Sequence, residues 1–311
     1  MQKVYALLAF SIVLYIYYKY CIAKTPHSCE VPESRFQLLF DVIIITIPLC
    51  MNGFLTNILG TMATLIVPRR LLVAGFNHIE ALSLIGKFTG MAMTLLTIPL
   101  IVVSTINTLL IPDLSQTLSQ GKKYEASCRI RKVIKLAFLL GLSTTIICNI
   151  IPDNLGKMFY GRDDLGTYIR FASFGAPILF TSSTMFGILN GLNKQGIILR
   201  NSLIEAIIEL IGLYIFTAIP SINILGYSIT MIIATGTSFL LNIHEVKKHI
   251  DININSYNIF IYILLALLVF LIIKILATHF LAHSLIINNF MVIGLTFFIF
   301  AYLGGFGESD S

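Results

Sequence analysis

Two carboxylates one helical turn apart in an otherwise apolar stretch are the most chemically loaded feature of this 311-residue sequence. Glu205 and Glu209 lie in the run 197–219, among Leu203, Ile207, Leu210 and Ile211. At about 100° per residue, Asn201 falls about 40° to one side of Glu205 and Glu209 about 40° to the other. Ser202 and Gly212 share that flank, and the apolar residues take the far one. With a rise of about 1.5 Å per residue, Glu205 would lie about 12 Å below a bilayer surface and Glu209 about 18 Å, close to the midplane. An acid at that depth must border water, pair with a base or hold a proton. The pair is therefore a candidate for coupling a proton or sodium ion. The alternative is a structural hydrogen bond to a neighbouring helix.

Other polar groups are arranged in stripes. In the apolar run 88–112, Thr94, Thr97, Ser104, Thr105 and Thr108 share about 100° of one helical face. Hydroxyls so placed either line a cavity or bond back to their own helix where helices pack. Asp41, Asn52 and Thr56, with Pro48, share a narrower face of the run 37–66. Between these runs stand Arg69 and Arg70. A guanidinium fork fits phosphate, which would suit an anionic headgroup or pyrophosphate; a snorkelling interfacial anchor is the other reading. Gly187 and Gly191 form a small-xxx-small pair, the signature of close helix contact. His244 and His249 look like headgroup contacts. The sequence has no nucleophile–base set, no His-x-x-x-His, no phosphate loop and no Cys-x-x-Cys. No catalytic residue, metal or cofactor is expected, so the protein reads as no enzyme. Cys21, Cys29, Cys50, Cys128 and Cys148 are widely spaced and read as structural.

The elements that hold these groups follow from composition. Lys and Arg number 21 and Asp and Glu 15, only 12% of the chain, while 57% is hydrophobic. Mean hydropathy is +0.89. So few charges cannot cover a water-facing globule, which excludes a soluble enzyme, a nucleic-acid partner and a disordered scaffold. Apolar runs fall at 4–23, 37–66, 88–112, 132–152, 166–192, 197–219, 223–243, 257–278 and 284–303. In lipid each backbone amide needs an internal partner, so the fold class is all-α: a polytopic membrane bundle of about nine transmembrane helices. The first run, with its tyrosine-rich end, reads as a retained helix rather than a cleaved leader. If it enters from outside, 13 Lys and Arg fall on inner joints and 8 on outer ones. That bias places Gly304–Ser311 in the cytoplasm. The joint 113–131, with Lys122, Lys123, Arg129 and Arg131, reads either as a short helix on the inner surface touching anionic membrane lipids or as a solvated connector.

Four segments then resemble a known family. Val67-Pro68-Arg69-Arg70-Leu71-Leu72-Val73-Ala74-Gly75-Phe76 comes first, followed by Thr89-Gly90-Met91-Ala92. Leu110-Ile111-Pro112-Asp113-Leu114-Ser115 precedes a basic Arg129-Ile130-Arg131-Lys132 run, and Gly187-Ile188-Leu189-Asn190-Gly191-Leu192-Asn193-Lys194 leads to Asn201-Ser202-Leu203-Ile204. In this order they resemble the stage V sporulation protein B-like polysaccharide-biosynthesis transporters of the MATE-like exporter superfamily. The resemblance implies two six-helix lobes and two further C-terminal helices. Residues 1–24 would then be the last helix of a first lobe, 36–250 the second lobe, and 251–311 the added pair with a short tail. It implies a flippase for lipid-linked cell-wall or polysaccharide precursors, linked to spore formation and resident in the cell membrane. A chain with one lobe has one wall of the cavity: it would be a fragment, a split-gene product whose partner supplies a separate N-terminal lobe, or a decayed copy inactive alone. Arg69 and Arg70 would approach the phosphate-sugar headgroup, and Asn52, Thr56, Thr94, Thr97, Ser104, Thr108 and Asn201 would line the wall. Glu205 and Glu209 match no motif of that family. A cation-coupled drug or metabolite antiporter of the same superfamily, or a non-transporting membrane subunit, are the competing expectations.

Overall fold

A computed structural model describes residues 11–20, 34–250, 252, 256–279 and 285–306. The described residues are helical with turns between and contain no strand. The chain divides into two units, ending and beginning at Ile43 and Ile44. The first contains helix α1 (residues 11–20), exposed throughout, and the opening turns of α2 (Arg35–Val73). The remainder of the run 4–23, Cys21, Cys29 and the C-terminal tail lie outside the described residues.

The second unit is a helical membrane bundle. The rest of α2 is followed by α3 (His78–Ile85), a π-helical segment (Gly86–Ala92), α4 (Met93–Thr97) and α5 (Leu100–Ser119). Next come α6 (Lys123–Ile150), the short α7 (Pro152–Tyr160), α8 (Gly166–Ser173), α9 (Ala176–Gly191) and α10 (Gln195–Phe216). A 3-10 turn (Asn223–Leu225) leads into α11 (Gly226–Lys247), then α12 (Ser256–His279) and α13 (Leu285–Phe306). Among the described residues five helices are long and apolar enough to cross a membrane, or six if α8 and α9, bent by 50°, count as one span. The protein is thus a multi-pass membrane protein. α10 is not among them despite its 22 residues, because Arg200, Glu205 and Glu209 interrupt its apolar sequence.

α9 is the hub and packs against α5, α6, α10 and α11. Lipid tails are as apolar as leucine, so helices in a bilayer associate by close packing and small residues. α9 meets that condition. A Cβ on Gly187 would press on Asn107 of α5, one on Gly191 on Leu114, and one on Gly141 of α6 on the backbone of Pro177. The expected small-xxx-small contact is therefore made with α5. Gly212 likewise seats α10 against Thr230 of α11. Phe180, Met185, Ile188 and Leu189 fill the space around α9 and are fully buried. α12 and α13 pack on the flank of α6, where Asn154 of α7 donates to Asn289 of α13 at 3.1 Å.

Three boundaries differ from the sequence reading, each for a physical reason. Arg69 and Arg70 do not lie in a joint. α2 runs through Pro48 and Pro68 to Val73 and ends only at Gly75, whose φ of +100° suits a glycine C-terminal cap. The run 88–112 is not one helix: it is π-helical up to Ala92 and broken at Ile98–Pro99, since proline cannot donate to the preceding turn. The joint 113–131 is not a surface helix. Residues 113–119 complete α5, a tight turn passes through Gln120–Lys122 with Gly121 at φ +75°, and α6 starts at Lys123. The Asp113–Arg129 ion pair ties the two helices together across that turn.

The α6–α9 crossing makes a direct prediction. Gly141→Ala should destabilise the bundle by about 1–3 kcal/mol, because backbone must shift to admit the methyl group. Gly196→Ala, at a site with open space, should leave the melting temperature in detergent unchanged. Circular dichroism melts of the two variants check both outcomes.

Candidate functional site

The sequence candidates separate into a buried seam and exposed faces. The seam lies between α10 and α11, where Asn201, 1% exposed, donates through Nδ2 to Asn242 Oδ1 at 2.7 Å. Asn242 Nδ2 in turn donates to Ser238 Oγ at 3.3 Å, and Glu205 is half-buried on the neighbouring α10. At the other end of the seam Arg200 Nε donates to Asn201 Oδ1 at 3.2 Å. The Arg200 guanidinium and Lys248 Nζ both meet Glu245 Oε2, at 3.4 and 3.1 Å. Polar contacts thus run from the ion-paired end as far as Ser238. Glu209 lies one turn beyond Glu205, within electrostatic range of Glu205 and Tyr227. Amide side chains neither gain nor lose protons in the physiological range, so the asparagines hold α10 to α11 rather than carry protons. Both glutamates are half-buried.

The sequence showed half of this seam. Ser238, Asn242 and Glu245 recur at intervals of four and three on α11, a helical polar stripe facing Asn201 and Glu205. That pattern was readable in the sequence and complements the one on α10.

The hydroxyl stripe faces outward. Thr94, Ser104, Thr105 and Thr108 are exposed and Thr97 is half-buried. Each bonds to its own helix: Thr94 to Gly90 O at 2.8 Å, Thr97 to Thr94 O at 2.9 Å, Ser104 to Leu100 O at 3.1 Å and Thr108 to Ser104 O at 3.0 Å. Such back-bonded hydroxyls can face either lipid or water at small cost. α2 carries a similar face, where Thr56 donates to Asn52 O at 3.0 Å and Asn52 Oδ1 has no partner. Below Asn52, a shallow open depression is lined by Thr56, Asn57, Gly60, Thr61, Thr64 and Leu65. Asn107 points the other way, into the α5–α9 contact, where Nδ2 donates to Ser183 O at 3.1 Å and Oδ1 is unpaired.

The two arginines have different surroundings. Arg70 donates through Nε to the carbonyl of Tyr214 at 2.8 Å, with its guanidinium 3.9 Å from the centre of that ring. It fastens the end of α2 to α10 by a hydrogen bond and a cation–π contact. Arg69 is exposed and makes no hydrogen bond or ion pair among the described residues. The structure therefore does not present the two as one fork. No cluster of three metal-ligating side chains occurs among the described residues.

A second ion-paired group holds the π-helical segment. Lys87 Nζ meets Asp164 Oδ2 at 2.7 Å, Arg162 binds both oxygens of the same carboxylate, and the Tyr160 hydroxyl donates to Met91 O at 3.3 Å. The end of α7 and the loop after it thus clasp the segment at both ends. Arg162, and then Lys87, hold the Asp164 carboxyl well below the usual carboxylate range. A depressed folded value stabilises the protein above the unfolded pKa, about 3.9, and that stabilisation is lost as pH falls through the folded value. Asp164→Asn should therefore lower the melting temperature at neutral pH and flatten the acid limb of the stability profile. In the seam, Asn201→Ala should cost about 1–3 kcal/mol by stranding Asn242, and Asn201→Ala with Asn242→Ala less than the sum of the single changes. Melts of the single and double variants measure that coupling.

The chain is 24% identical over 249 residues to stage V sporulation protein B of Bacillus subtilis (strain 168). The match covers 79% of this chain and 48% of that protein, so the chain spans about half the length of the curated relative it matches. No family model and no solved structure matches the chain. Over those 249 residues the chain, a helical membrane bundle, is thus similar to stage V sporulation protein B.

Proposed function

We propose that the chain is a lobe of a flippase for lipid-linked cell-wall or polysaccharide precursors, working in the cell membrane during spore formation with its C-terminus in the cytoplasm. The alignment with stage V sporulation protein B carries this reading. Its physical support is the outward hydroxyl face of α4 and α5 together with that of α2. Such faces suit one wall of a passage for an amphiphile, whose glycan needs hydrogen-bonding partners while its lipid tail stays in hydrocarbon. A separate N-terminal lobe would supply the other wall, and translocation would proceed by rocking of the lobes with no covalent chemistry. Arg69, exposed and unpaired, is the side chain that would meet the phosphate; Arg70 would position the end of α2 beside it.

Water on the hydroxyl face separates this reading from a lipid-packed one. In a chain whose native cysteines are replaced by alanine, Ser104→Cys and Thr108→Cys should react with a membrane-impermeant maleimide. A lipid-linked oligosaccharide should slow that reaction. Leu109→Cys, exposed but off the stripe, should stay unlabelled. Equal labelling at all three positions would remove the passage from the proposal.

A second reading retains the scaffold and adds cation coupling through Glu205 and Glu209, favoured by two half-buried carboxylates one turn apart on α10, next to the α10–α11 polar seam. In that case Glu209→Gln should abolish gradient-driven transport without lowering membrane insertion. An unchanged rate excludes coupling.

A further inference from the structure

The two ends of the bundle use their charges differently. At one end the turn from α5 to α6, the start of α10 and the end of α11 surround a single apolar cluster that includes Leu114, Ile130, Leu189, Ile198 and Val246. Around it stand nine basic side chains: five between Lys122 and Lys132, then Lys194, Arg200, Lys247 and Lys248. Only Asp113, Glu125 and Glu245 oppose them, and all three are already taken. Asp113 pairs with Arg129, Glu125 with Lys122, and Glu245 with both Arg200 and Lys248. Lys123, Lys194 and Lys247, one from each meeting helix end, have no acidic partner among the described residues.

The opposite end is closed on itself. Lys87 and Arg162 meet Asp164, Lys157 meets Asp163 at 3.1 Å, and Arg170 lies 3.9 Å from Asp153. Each of these cations has an internal anion. Lys123, Lys194 and Lys247 themselves are left for an external one.

We propose that this rim binds the phosphate headgroups of anionic lipids in the adjoining leaflet, which the basic bias assigns to the cytoplasmic side. The partner is a lipid surface rather than a free anion because the rim crowns membrane-spanning helices. Exposed apolar residues border it as well: Tyr124 beside Lys123, and Leu240 on α11 below Lys247. A bilayer surface offers phosphate and hydrocarbon at that same spacing, whereas a soluble anion would leave the apolar residues uncovered. The rim replaces the surface helix expected at 113–131: the basic residues of that joint act together with those of α10 and α11.

The test uses the full chain, purified in a neutral detergent and melted while phosphatidylglycerol or phosphatidylcholine is titrated into the micelles. Phosphatidylglycerol should raise the melting temperature at low salt and lose that effect at high salt. Phosphatidylcholine and soluble glycerol phosphate should not reproduce it. Replacing Lys123, Lys194 and Lys247 by Gln should raise the half-saturating lipid content about five-fold per charge removed. Lys157→Gln, at the opposite end, should respond like the unmodified chain. Equal stabilisation by the two lipids, an equal effect of glycerol phosphate, or an unaltered response of the triple variant would each overturn the proposal. If the triple variant fails to fold, the lipid comparison on the unmodified chain still decides.

Discussion

Helices surrounded by hydrocarbon gain nothing by hiding apolar side chains from a solvent that is equally apolar, so a bundle of this kind depends on how closely its backbones can approach. α9 is built for that approach, with Gly187 and Gly191 against α5 and Pro177 against Gly141 of α6. These crossings bring α5, α6, α10 and α11 round one axis, and every polar feature inherits its position from them. Gly212 repeats the device between α10 and α11, close to the level where Glu209 lies. A bulkier residue there would separate the helices that hold the seam.

The polar side chains of the spanning helices fall into two groups with different energetics. Those of the seam bond across helices, and an amide stranded there would leave its partner desolvated and unpaired. The hydroxyls of α4, α5 and α2 bond to their own helices, so they demand no partner and can accept one. The transport lobe proposed above would use both kinds. The seam keeps α10 and α11 together, whereas the outward faces would be free to exchange contacts with the proposed substrate.

The apolar runs foretold where the helices lie because the rule that dictates them is general: lipid leaves no other partner for the backbone. Boundaries were harder to read. Arg69 and Arg70 resembled a joint, yet α2 carries them in its last turns because Arg70 finds both a carbonyl and an aromatic face on Tyr214. The stripe from Thr94 to Thr108 assumed one uniform helix, and the π-helical segment and the break at Ile98–Pro99 lie within or beside its span. The seam was half-legible: Glu205 and Asn201 stood out as acids and amides in an apolar run, but Ser238, Asn242 and Glu245 were needed to show what they face. The clasp of Asp164 on Lys87 rests on tertiary contacts between residues far apart in sequence, which no periodicity reports.

Where the structure can bend follows from the same contacts. The seam joins α10 to α11 through side chains that would all need new partners if the helices slid, so that pair moves as a unit. The path from α3 to α5 is different. Its π-helical turn and its proline break each leave the regular bonding pattern, and the 50° bend between α8 and α9 lies in the hub helix beside it. The Lys87–Asp164–Arg162 clasp and the Tyr160–Met91 bond grip this irregular segment from the α7–α8 loop. A lobe that opens and closes must concentrate deformation where backbone bonding is already irregular. Here the irregular path also carries the outward hydroxyls, so bending it would reorient the face proposed to meet substrate while the seam stays fixed.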